Sequence, residues 1–162
     1  MTDDEPAGLT LRPMTRGEFE EWLPRQTAGY ADYIAASGAM SAADAREKAV
    51  RDAARLFGAG FDTPRQLVFR VVARDVTVGS LWLGVPGPEP DPLMAWVFDI
   101  EIAPEHRGRG YGRATMLLAE DEARARGMTS LGLNVHGHNR VARSLYDSLG
   151  YEVMAQQMKK PL

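Results

Sequence analysis

A mixed α/β layer structure in one domain is the fold class this 162-residue chain predicts, and three observations predict it. Short runs of β-forming residues are interleaved with segments whose apolar residues recur at helical spacing. One buried-looking strand runs through a turn with three glycines straight into an amphipathic helix. No internal repeat, linker or low-complexity block divides residues 1–162, a length that suits one domain with one sizeable core.

Residues 1–8 read as a frayed tail, and Leu9-Thr10-Leu11-Arg12 alternates as a short strand that Pro13 ends. Thr15 followed by Glu18 forms a capping box, with Phe19, Trp22 and Leu23 at helical spacing. Pro24 is expected to interrupt that helix before Tyr30, Tyr33 and Ile34 resume it, and Ser37-Gly38 breaks the chain. Ser41 with Asp44 caps a second helix, in which Ala45, Ala49, Ala53, Leu56 and Phe57 make the apolar stripe as far as about Gly58. Residues 67–73 and 76–83 read as a hairpin around Arg74-Asp75, followed by a Pro/Gly-rich loop over 86–92. Residues 94–103 are mostly apolar on both faces, as in a strand inside a sheet, and Pro104 closes it. In the next helix Ala114, Leu117, Leu118 and Ala125 lie on one side, and Gly127 falls where a left-handed cap belongs. A strand over 131–135 follows, then a helix capped by Asn139 with Ala142, Leu145, Tyr146 and Leu149 on one face and Gly150 as its stop. A last strand is expected over 151–158.

Composition narrows the function. A net charge of -3 argues against a generally basic surface, so nucleic acid is not the expected partner. Without cysteine there is no thiolate nucleophile, disulfide frame or cysteine zinc site, and the chain suits a reducing, cytoplasmic compartment. No apolar run approaches the roughly 20 residues that span a bilayer, and the acidic start Met1-Thr2-Asp3-Asp4-Glu5 is unlike a signal peptide, so no membrane association is expected. His106, His136 and His138 are the only histidines and make no helical pair of metal-ligand spacing, so no metal site is expected.

The most informative segment is Arg107-Gly108-Arg109-Gly110-Tyr111-Gly112-Arg113. Glycines let backbone amides approach a ligand, and the unpaired N–H groups of a helix start carry partial positive charge, so strand, turn and helix together make an anion site. The flanking arginines add full charges. A Walker A loop would need Gly-Lys followed by Ser or Thr, and a dinucleotide fingerprint would need G-x-G-x-x-G; glycines at 108, 110 and 112 satisfy neither.

These residues resemble the GNAT superfamily of acyl-CoA N-acyltransferases, whose signature R/Q-x-x-G-x-G/A is met by Arg107, Gly110 and Gly112. Leu131-Gly132-Leu133-Asn134-Val135, then Asn139, Ala142, Leu145-Tyr146 and Leu149-Gly150-Tyr151, resemble the family's later strand, asparagine, helical tyrosine and Gly-aromatic segment in the same order. The resemblance is close over 93–155 and extends to the first half only by element order. It implies a mixed, mostly antiparallel central sheet flanked by helices, with splayed fourth and fifth strands and the pantetheine arm of acetyl-CoA between them. Carried over residue by residue, backbone at Ile100, Glu101 and Ile102 would meet the pantetheine, and Arg107, Gly108, Arg109, Gly110, Tyr111, Gly112 and Arg113 would wrap the pyrophosphate. Asn139 would contact the pantetheine region and Tyr146 would sit near the thioester sulfur. The implied activity is N-acetyl transfer to a primary amine of a small molecule or protein by direct attack in a ternary complex; a non-catalytic acyl-CoA sensor of the same fold is the alternative. Relatives are often dimers, which implies a homodimer.

Direct transfer sets two proton tasks: the amine must attack in its neutral form, and the departing thiolate is best protonated as it leaves. An amine of pKa about 10.4 is neutral only about 0.04% of the time at pH 7, a handicap of about 4.6 kcal/mol that a base or a desolvated site can reduce. Tyr146, a phenol protonated at neutral pH, is the candidate general acid, and a core tyrosine is the plain alternative. For the base Glu101 leads and Asp99 follows: strand alternation puts both carboxylates on one face of a central strand, where partial burial would poise a base and an ion pair is the plain alternative. Phe98 and Trp96 occupy the positions where relatives often carry a Glu or His, Asn134 stands where some relatives carry a glutamate, and His136 and His138 read first as solvated loop residues. Trp22, Tyr30, Tyr33 and Met40 read first as helix packing, with the lining of an acceptor pocket as the alternative.

Overall fold

The computed structural model describes residues 8–87 and 93–162; most of the tail over 1–8 and most of the loop over 86–92 lie outside the described residues. A five-stranded sheet in the order β1-β2-β3-β4-β5 forms the centre. Its strands are β1 (Leu9–Pro13), β2 (Gln66–Ala73), β3 (Val76–Gly84), β4 (Met94–Ile102) and β5 (Ser130–Leu133). Every neighbouring pair is antiparallel except β4 and β5, which are parallel and so need the crossover through a helix that lies between them in sequence. The β2–β3 connection is the tight turn expected at Arg74-Asp75, with φ of 48° and 67°, the left-handed pair that matches hairpin twist.

Helices α1 (Arg16–Ala36) and α2 (Ala42–Leu56) lie toward one face of the sheet, and α3 (Tyr111–Ala125) and α4 (Arg140–Ser148) toward the other. The first face buries Met14, Phe19, Trp22, Phe57 and Trp82 as an aromatic cluster; the second buries Val71, Leu81, Leu83, Ala95, Val97, Met116 and Ala119. Three of the expected caps form: Thr15 and Glu18 close the capping box, Ser41 accepts from the Asp44 amide, and Asn139 accepts from the Ala142 amide.

Two expectations are corrected. Pro24 does not divide α1, which runs unbroken through it. Pro24 is on the exposed side, where water can take up the carbonyl its missing N–H leaves free, while Phe19, Trp22 and Ile34 anchor the helix on the sheet side. The last strand over 151–158 is absent, and residues 151–162 carry no regular structure. Gly150, at φ 86°, turns the chain out of α4, the Tyr151 amide donates to the Tyr146 carbonyl, and the Tyr151 hydroxyl donates to Glu120 of α3 at 3.2 Å. Further along, Lys159 Nζ donates to the Gly38 carbonyl just past α1 at 3.4 Å. Among the described residues no helix is long and apolar enough to cross a membrane.

Candidate active site

The site begins where two strands part. Residues 94–97 of β4 pair with 130–133 of β5, and β4 then continues from Phe98 to Ile102 with β3 alone beside it. This is the splay expected between the fourth and fifth strands. At the same point β4 carries a bulge: Val97 faces Leu83 and Asp99 faces Trp82, so Phe98 has no partner across the ladder.

Asp99 is held on the α1 side, opposite Trp82, and its Oδ2 is buried without a hydrogen-bond partner. Burial, with the Glu101 carboxylate nearby, pushes its pKa up to about 7, against a smaller opposing effect of the Gln26 side chain from α1. Glu101, opposite Ser80 on the same face, is exposed. The expectation that partial burial would poise Glu101 is therefore corrected: β5 has ended by this level, and water reaches the strand where a neighbour would have covered it. Ile100, opposite Leu81, turns to the other face and packs on the second core, and the Ile102 carbonyl already accepts from Arg107 Nε at 2.8 Å.

Tyr146 of α4 is buried in the core on the α3 side. Burial first, then Tyr33 and Asp99, raise the pKa of its phenol, so it keeps its proton at neutral pH. Tyr33 of α1 and Asp99 of β4 thus lie near enough for their charges to act on the Tyr146 hydroxyl. Sequence reasoning did not connect Tyr33 to this place. Its hydroxyl accepts from the His136 backbone N–H at 2.8 Å, and its ring lies 4.6 Å from the His136 ring and 5.1 Å from that of His138. Burial, then His138, lowers the pKa of His136, which favours a neutral imidazole. The helical spacing of Tyr33 was visible, but a contact across a hundred residues leaves no local signature. Trp22, by contrast, is helix packing within the aromatic cluster.

The glycine turn leads into α3. Gly108 and Gly110 have φ of 72° and 78°, Gly110 is the cap residue, and no side chain caps the helix, so its first-turn amides are open. A side chain at either position would resist this left-handed backbone. Arg107 is tied to the end of β4 and Arg113 to Ser148 of α4, while Arg109 is exposed. Tyr111 packs its half-buried ring against the core, leaving its backbone as the part that faces the turn. Asn139 lies beyond the gap with its side-chain oxygen engaged as the α4 cap. An open helix start, the end of the β4–β5 pairing and two groups whose pKa burial raises, Asp99 and Tyr146, thus belong to α3, β4 and α4.

The model of the acetyltransferase (GNAT) family matches residues 21–151, which include all of these elements. The chain belongs to the GNAT acetyltransferase family. It is similar to the uncharacterised N-acetyltransferase YycN of Bacillus subtilis, at 29% identity over 156 residues that make up 95% of this chain and 99% of the relative. The crystal structure of YycN superposes with a TM-score of 0.89 at 28% identity, covering 95% of this chain and 98% of that one. A mycothiol acetyltransferase of Kytococcus sedentarius is 31% identical over 150 residues, but this chain, 91% of which is matched, spans only 46% of its length. The aminoglycoside N-acetyltransferase AAC(6')-Iy in complex with CoA has the same fold, with a TM-score of 0.63 at 12% identity over 95% of this chain and 94% of that one. As a GNAT member the protein is an N-acetyltransferase.

Proposed function

We propose that residues 1–162 act as one catalytic domain that moves an acetyl group from acetyl-CoA to a primary amine of a small molecule or protein, by direct attack while both are bound. The reading rests on a carboxyl at Asp99 whose Oδ2 is buried without a hydrogen-bond partner, and on a buried, protonated phenol at Tyr146 close enough to feel its charge. The diphosphate of the donor rests on the open amides of residues 110–113 with Arg109 beside it. A Cβ at Gly112 would meet Leu145 at 3.5 Å, an ordinary contact, so packing against α4 does not require glycine there and close approach of a ligand does. The pantetheine follows β4 backbone at Ile100 and Glu101, with Asn139 on the opposite side.

Asp99 accepts the proton of the incoming ammonium, the free amine attacks the thioester carbonyl, Tyr146 donates its proton to the departing sulfur as the C–S bond breaks, and the second proton released by the new amide nitrogen restores the Tyr146 phenol. Asp99 takes the role of base in preference to Glu101, because an exposed carboxylate is strongly hydrated while a buried one near pKa 7 is half ionised at neutral pH. We assign the activity to the cytoplasm, and to a homodimer in which a second copy covers the exposed Val153, Met154 and Met158; a sedimentation mass of a single chain would contradict the dimer.

The test is release of CoA thiol from acetyl-CoA across polyamines, aminoglycosides, amino acids and peptides with free N-termini. Acceptor-dependent release is expected. Tight acetyl-CoA binding with no turnover on any amine would instead support a non-catalytic sensor.

A further inference from the structure

The bulge that frees Asp99 from regular alternation has a second effect. Because Asp99 faces Trp82 and Val97 faces Leu83, Phe98 is squeezed out of the ladder, and its ring stacks on Trp82 at 4.6 Å and 25°. Phe98 and Asp99 therefore occupy the same face of the sheet although they are consecutive in sequence. A Cβ at Gly84 would stand 2.5 Å from the Phe98 ring and one at Gly132 would stand 2.6 Å from the Trp96 ring, so each ring occupies the space that a glycine leaves open. Phe57, the residue that caps α2 at its C-terminal end, lies 4.6 Å from Trp82 and supports the stack. Phe98 is nonetheless 37% exposed, an aromatic surface left open at the end of a supported stack. Along this face of β4 the order is Trp96, Phe98, Asp99, Glu101: two aromatic rings, then two carboxyl groups.

We propose that Phe98, backed by Trp82 and flanked by Trp96, is the specificity surface for the acceptor, and that the acceptor is an amine bearing an aromatic or branched apolar group beside the nitrogen and no carboxylate next to it. The inference rests on the assignment of Asp99 as the group that meets the amine. With the nitrogen at Asp99, the substituent on the adjoining carbon falls on the Phe98 side, where it finds apolar surface, while the exposed Glu101 on the other side disfavours an acidic neighbour. A free arylalkylamine and a peptide whose first residue is aromatic share this chemistry.

The experiment compares 2-phenylethylamine, a short peptide amide beginning with phenylalanine, free phenylalanine, ethanolamine and spermidine as acceptors. It uses the intact protein and its Phe98→Ala and Phe98→Leu variants. The expected result is a kcat/KM at least about tenfold higher for phenylethylamine or the peptide than for ethanolamine, spermidine or free phenylalanine. Phe98→Ala raises KM for the aromatic acceptor about tenfold with kcat little changed and leaves ethanolamine within about twofold, and Phe98→Leu recovers most of the loss. Which of the two aromatic acceptors is preferred identifies the source. Equal use of ethanolamine or spermidine overturns the proposal, as does a Phe98→Ala variant that weakens all acceptors alike. Calorimetry of phenylethylamine against the CoA-loaded protein gives a readout independent of turnover: binding that Phe98→Ala weakens about tenfold, even without catalysis, would sink the enzymatic reading and leave the aromatic surface standing. No difference between the two proteins in that titration overturns the surface itself.

Discussion

Burial moves Asp99 and Tyr146 in the same direction, and in the proposed chemistry that common shift divides the proton work between them. A carboxyl near pKa 7 takes a proton readily, and a phenol pushed up holds one until the sulfur departs. Asp99→Asn is expected to lower kcat by about 10²–10⁴ with little change in KM for acetyl-CoA, measured by thiol release. In the unaltered protein kcat/KM should rise with a break near pH 7 as Asp99 ionises, and Asp99→Asn should lose that break. Stability runs the other way. A carboxyl whose pKa is higher folded than unfolded makes the folded chain bind the extra proton, so its stabilising effect is full below about pH 4 and is lost as pH climbs through about 7. Asp99→Asn should therefore raise Tm at pH 8, a sign that an ordinary packing or ion-pairing residue would not give. Tyr146→Phe keeps the ring in the core and removes only the hydroxyl. It should reduce kcat by about 10–10³ and leave the melting temperature nearly unchanged. That the sequence ranked Glu101 above Asp99 has a local cause: alternation fixes the face of a side chain but says nothing of whether a neighbouring strand continues far enough to cover it.

At the scale of elements, the glycine turn, the β4 strand and α4 were readable because each is marked by short-range rules: positive φ for glycine, apolar residues on both faces, a side-chain cap. Pro24 and the last strand misled for a shared reason. Both follow local propensity, and both give way to contacts far away in sequence, the aromatic cluster that anchors α1 and the side-chain bonds of Tyr151 to Glu120 and of Lys159 to Gly38. The same local rules make a prediction at the start of α3. In Gly110→Ala the backbone must either remain at φ 78°, against a penalty of about 1–2 kcal/mol, or relax and turn its amides away. Titration calorimetry should find affinity for CoA at least about tenfold weaker, with secondary structure unchanged by circular dichroism.

For the molecule as a whole, the proposed donor contacts come from the separate elements α3, β4 and α4, so the donor is expected to bind only the folded chain. CoA at 100 times its Kd should add about 2.7 kcal/mol of stability, raising Tm by roughly 5–10 °C in a thermal scan. The architecture was visible from element order, and the splay from family likeness. The site geometry was not, because it depends on how far β5 runs beside β4 and on which helix crosses the gap. A crystal structure of the protein with CoA tests the central claim most directly. Diphosphate oxygens are expected on the amides of residues 110–113, pantetheine between β4 and β5 beyond Val97 and Leu133, and the sulfur within hydrogen-bonding reach of the Tyr146 hydroxyl. Coenzyme bound on another surface, or a gap closed by side chains with the sulfur far from Tyr146 and Asp99, would contradict it.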